Sequence, residues 1–170
     1  MTRRDLFHKW LIYALGLLPV WLLDAYLLPR YPLFGVTPML LPLAVAAVAV
    51  SEGAYAGTGF GLAVGLLWEV AYPAGFGGMV FGLALAGMAM GALAQYALSQ
   101  SFWGYLLCSA GVLILLDGLR IARGLFTNFA SLPAMLQVAI PECLWSLAWT
   151  PLLWLLFRAI YRRVGGTRLA

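Results

Sequence analysis

Runs of apolar side chains, broken at intervals by proline, glycine or a few polar residues, set the pattern of this chain from one end to the other. The breaks predict six helices, over 10–28, 37–52, 56–72, 78–98, 102–119 and 136–160. The first follows Arg3, Arg4 and Lys9, is interrupted by Pro19 and Asp24, and ends in Leu-Pro-Arg-Tyr-Pro, so it reads as a retained helix rather than a cleaved signal. The second is short for a membrane span. Pro73, Gly75, Gly77 and Gly78 separate the third from the fourth, and Ser99, Gln100 and Ser101 make a tight polar turn before the fifth. The stretch 120–133 is the only long connection, and its Phe126, Asn128 and Phe129 suit a membrane interface.

Composition turns this pattern into a statement about solvent. Of 170 residues, 64% are apolar and 9% charged, and the mean hydropathy is +0.95. Sixteen charges cannot cover a globule of 18.4 kDa, whose interior is too small to hide the remaining apolar side chains. The expected fold is therefore all-α: a polytopic integral membrane protein, a six-helix transmembrane bundle forming one domain over 1–170 in a lipid bilayer. A dinucleotide-binding fold, a nuclease and a nucleic-acid reader are excluded as classes. Cys108 and Cys143 are isolated in apolar stretches and suggest neither a disulfide framework nor a metal site. The sequence has no phosphate loop, no metal-ligand spacing and no serine with a reachable base, so no cofactor and no enzymatic activity are expected.

The net charge of +4 serves topology. With six spans both termini share a side, which holds Arg3, Arg4, Lys9, Arg158, Arg162, Arg163 and Arg168, against Arg30, Arg120 and Arg123 on the other. That excess places both termini in the cytoplasm.

Two features carry candidate chemistry. Gly53, Gly57, Gly61 and Gly65 recur every four residues, and Gly78, Gly82, Gly87 and Gly91 extend the theme on the fourth helix. Small residues at this spacing let helices approach closely in lipid, either within the chain or against a partner. The second feature is acidic. A carboxylate at membrane depth costs roughly 2.5–3.5 kcal/mol and faces the protein interior. Helix directions bring Asp24, Glu69, Asp117 and Glu142 to a similar outer depth, near Arg30, Arg120 and Arg123, as a polar layer that steadies the bundle or receives a ligand or partner. Asp117 can also simply pair with Arg120 three residues on, and Glu142, after Pro141, can serve as a first-turn acid. Glu69, just before the glycine-rich turn, has the best claim to a contact role.

The stretch GFGLAVGLLWEVAYPAGFGG at 59–78, preceded by VTPMLLPLAVAAVAVSEG at 36–53, resembles the core of the MreD family, rod shape-determining membrane proteins of bacteria. Pro38 before a Leu run, the turn at Glu52 and Gly53, and Gly61 with Gly65, Leu66 and Leu67 leading to an acid carry the likeness. Many family members have Asp where this chain has Glu69, and commonly Gln near Asp24. The resemblance implies a non-catalytic member of the cell-elongation complex in the inner membrane, working with an MreC-like protein, with MreB and with the peptidoglycan-synthesis enzymes. The six short helices are also similar to the substrate-binding subunits of energy-coupling-factor vitamin transporters, the competing reading. That family's alanines spaced by four on the first helix are missing here, since Ala14 is followed by Leu18.

Overall fold

A computed structural model describes residues 3–32, 35–71, 78–96, 101–127 and 131–164. Pro73, Gly75 and Gly77 of the predicted breaker, Ser99, Gln100, Asn128, Phe129 and Arg168 lie outside them. Every regular element among the described residues is helical: α1 (Arg3–Leu22), α2 (Leu40–Glu52), α3 (Ala54–Ala71), α4 (Gly78–Tyr96), α5 (Phe102–Phe126), α6 (Leu132–Ala148) and α7 (Thr150–Val164). Among the described residues, four helical stretches are long and apolar enough to cross a membrane: Phe7–Arg30, α3, α4 and α5. The pair α6 and α7, bent by 44°, makes a fifth if the two helices form one broken span. The second of the six expected spans is the exception. With 13 residues, α2 is about 20 Å long against roughly 30 Å of hydrocarbon.

Proline explains two departures from regular helix. Pro19 sits inside α1 without ending it, whereas Pro29 lacks the N–H that would carry the ladder on beyond the end of α1. The chain then widens into a π-helical turn at Leu23–Leu27, which holds buried Asp24, and tightens into a 3-10 turn at Leu28–Arg30. Pro151 acts at the other end of the molecule. It cannot continue the hydrogen-bond ladder from α6, so the chain breaks at Trp149 and restarts as α7.

From Leu40 to Val50 every residue of α2 is buried. The helix is packed against α1, α3, α4, α5 and α7, and so forms the axis of the bundle. Gly53 lets the chain reverse from α2 into α3 through one residue, at φ of 95°, where a side chain would be strained and would meet the Gln95 amide.

The closest helix pair is α3 with α4, joined along a seam of bare backbone. A Cβ on Gly57 would lie 2.6 Å from the Gly87 oxygen, one on Gly65 2.5 Å from Val80 Cα, and one on Gly61 would run into the Leu83 carbonyl. On α4, a Cβ on Gly91 would reach Ala54 Cα at 2.5 Å. Gly78 and Gly82 stand outside the seam: nothing lies within 4 Å of a Cβ on Gly78, and only a Leu116 methyl, at 3.9 Å, approaches Gly82. Aromatic rings fill the opposite side of the axis, with Tyr13 stacked on Phe157 at 6.5 Å and Tyr105 on Trp154 at 5.1 Å. The outward faces carry exposed bulky apolar side chains such as Leu15, Leu66, Phe81, Ile114 and Leu155. Such a surface suits lipid as its solvent.

Candidate functional site

Polar side chains gather at the two ends of α2, for a reason set by the helix itself. The first amides of a helix have no partner inside it, and protein enclosed in lipid offers no water to replace one. Asp24, turned inward by the π-helical turn of α1, accepts from the Leu40 amide at 2.8 Å. Ser146 of α6 accepts from the Met39 amide at 2.8 Å and donates its own proton to the Glu142 carbonyl at 2.7 Å. Two other helices thus satisfy the start of α2.

One turn away along α6 from Ser146 lies Glu142, the centre of a charged cluster between α5 and α6. Arg120 Nη1 donates to Glu142 Oε2 at 3.0 Å and, more weakly, to Asp117 Oδ1 at 3.4 Å. Asp117 Oδ2 accepts from the Cys143 thiol at 3.0 Å. The carboxylates are buried, while half of the Arg120 side chain is exposed. Arg120 therefore stays partly accessible while its guanidinium holds together two acids that would otherwise repel each other. Beside the cluster α5 and α6 diverge, leaving a cleft of about 460 Å³ with Asp117, Arg120 and Glu142 among its lining residues.

The opposite end of α2 has its own ion pair. Lys9 Nζ meets Glu52 Oε2 at 2.5 Å, and Tyr13 donates to Glu52 Oε1 at 2.9 Å, with Lys9 and Glu52 side chains almost wholly enclosed. The polar clusters at the two ends are joined through α1, which supplies Lys9 to one, and the π-helical turn that follows it, which supplies Asp24 to the other.

Of the acids expected at one outer depth, Asp117 and Glu142 share the Arg120 cluster and Asp24 lies at the adjoining start of α2. Glu69 makes no hydrogen bond to them: it is half-buried near the end of α3, and its enclosed Oε1 has no hydrogen-bond partner among the described residues. Arg123 is exposed on α5 and Arg30 is exposed in the 3-10 turn. The expected connection over 120–133 is largely helical, because α5 runs on to Phe126 and α6 starts at Leu132. Both Arg120 and Arg123 are therefore helix residues. Sequence reading missed Cys143, Ser146 and the Lys9–Glu52–Tyr13 group. Ser146 stands four residues after Glu142, on the same face of α6, which is the one local signal that could have found it.

Among the described residues no group of three or more His, Cys, Asp or Glu side chains is placed to hold a metal ion. The arrangement can neutralise and orient charge at helix ends, and it leaves one charged cleft open. A second cavity, of about 680 Å³ between α1 and α3, is lined by apolar residues including Trp10, Ala14, Gly59 and Ala63. Comparison of the chain with protein-family profiles, with characterised proteins and with solved structures finds no match.

Proposed function

We propose that this chain is a non-catalytic membrane scaffold of the bacterial cell-elongation machinery. In this reading it resides in the inner membrane and acts by helix and loop contacts with an MreC-like partner. The family likeness rests on 36–53 and 59–78. The observation that carries the contact role is the distribution of mass: helices of 13 to 25 residues follow one another through short connections, so the helix faces are nearly all the surface a partner can meet. The buried charges suit such a role, since Lys9, Glu52, Asp117, Arg120 and Glu142 engage one another across helices.

Six crossings, with both termini cytoplasmic, remain part of this proposal. In support, α2 joins polar groups that are 15 residues apart along α1 and the π-helical turn after it, Lys9 at one end and Asp24 at the other, a separation of about 22 Å. The basic residues at both termini favour the cytoplasmic side.

The second reading, a substrate-binding subunit of an energy-coupling-factor vitamin transporter, is favoured by one feature, the charged cleft between α5 and α6. Affinity purification from gently solubilised membranes separates the two. The scaffold reading expects an MreC-like single-span protein to co-purify. Recovery of a pair of ATPase subunits together with a bound vitamin would overturn it.

A further inference from the structure

The cleft between α5 and α6 has walls and a floor of different chemistry. Its walls are Ile121, Gly124, Ala134, Met135, Val138 and Ala139, and its floor is the Asp117, Arg120 and Glu142 cluster. Two carboxylates against one guanidinium give the floor a formal charge of −1. The Glu142 side chain is only 9% exposed, yet just one of its oxygens is used: Oε2 receives Arg120, while no residue donates to Oε1 among the described residues. That oxygen is left open as an acceptor to which a hydrogen-bonding cation can donate. The same floor disfavours an anion, which would meet two carboxylates, and offers a neutral apolar group nothing for Oε1.

We propose that this cleft is a binding site for an organic cation of one shape, an N–H-bearing ammonium or guanidinium at the tip of an unbranched apolar stem. The cation donates to Glu142 Oε1 and balances the charge of the floor, while the stem lies against Ile121, Met135 and Val138. A volume of about 460 Å³ accommodates a chain of this size. The assignment is independent of the cell-elongation reading, because it uses only the residues of the cleft.

The test uses the full chain in lipid nanodiscs with three eight-carbon probes of the same stem: n-octylammonium, n-octanol and octanoate. Saturable binding is read by thermal shift and by isothermal titration. Octylammonium is expected to bind at least about tenfold more tightly than octanol, the scale of a charge-assisted hydrogen bond, and octanoate not to bind saturably. Octyltrimethylammonium, which has the charge but no N–H, is expected to bind more weakly than octylammonium. Glu142→Gln should abolish the preference for the cation. Ala139→Trp, which fills the cleft while keeping its charged residues, should abolish binding of all the probes, so the proposal stays testable even if the Glu142 variant folds poorly. Glu69→Gln, outside the residues that line the cleft, should bind as the parent does. Displacement of a co-purified partner by octylammonium would identify the cation as a basic side chain of that partner, and binding without displacement would identify a free ligand. Equal affinity for the cation and the alcohol, or undiminished octylammonium binding by Ala139→Trp, would overturn the proposal.

Discussion

A single acceptor on a neighbouring helix decides whether the first amides of α2 can be buried. Leu40 N–H depends on the Asp24 carboxylate, and Met39 N–H depends on the Ser146 hydroxyl. Asp24→Ala strands a donor inside the bundle, at a cost of about 1–3 kcal/mol. Asp24→Asn retains an accepting oxygen and should lose less than half as much, as measured by thermal unfolding in mild detergent. Equal losses would show that the charge, not the acceptor, holds α2. The sequence marks Asp24 clearly, because an acid in an apolar run needs an interior partner. It does not mark what Asp24 binds, since a backbone amide looks alike at every position. Ser146 is harder still to read, for serine is unremarkable in a membrane helix until a partner is seen.

At the scale of elements, the α3 and α4 seam shows how small residues set the distance between helices. Gly61 lies against the Leu83 carbonyl, whereas Gly59, two residues earlier, has nothing within 4 Å of an added Cβ. Gly61→Leu should therefore unfold or separate the pair. Gly59→Ala should be neutral or should stabilise α3 by up to about 1 kcal/mol through helix propensity. Thermal denaturation of the two variants tests the contrast, and similar losses for both would count against the seam. The period of four reveals which face of α3 is bare, but it cannot say where α4 begins to approach; Gly78 and Gly82 share the spacing and miss the contact. Helix ends were misread for a related reason. Charges at Arg120 and Arg123 look like the exit of α5, yet Arg120 is neutralised by Glu142 and Asp117, so the helix continues past it. The break at Trp149 has a visible cause in Pro151, but a long apolar run conceals it unless the proline is placed in the first turn of a new helix.

The whole molecule is tied together by α1, which reaches both ends of α2. Lys9 and Glu52 are enclosed, so removing one leaves the other charge without its partner in a medium that solvates it poorly. Lys9→Met is expected to cost about 3–5 kcal/mol, while the double variant Lys9→Met with Glu52→Gln should recover a large part of the loss. A thermal-stability cycle over the four proteins reads the coupling. If the double variant is no better than Lys9→Met, the pair is not what fastens α1 to α2. The all-helical class and the lipid solvent follow from composition alone. The central position of α2 does not: its shortness and its Ala and Val content mark it as a weak span, and only the packing shows five helices around it. Those neighbours include α5 and α7, both synthesised after it. During translation α2 must therefore wait in lipid or beside the insertion machinery as an unfinished core, and its enclosure is completed only when α7 emerges. Maturation of this bundle is in that sense a closing act, governed by the arrival of α7.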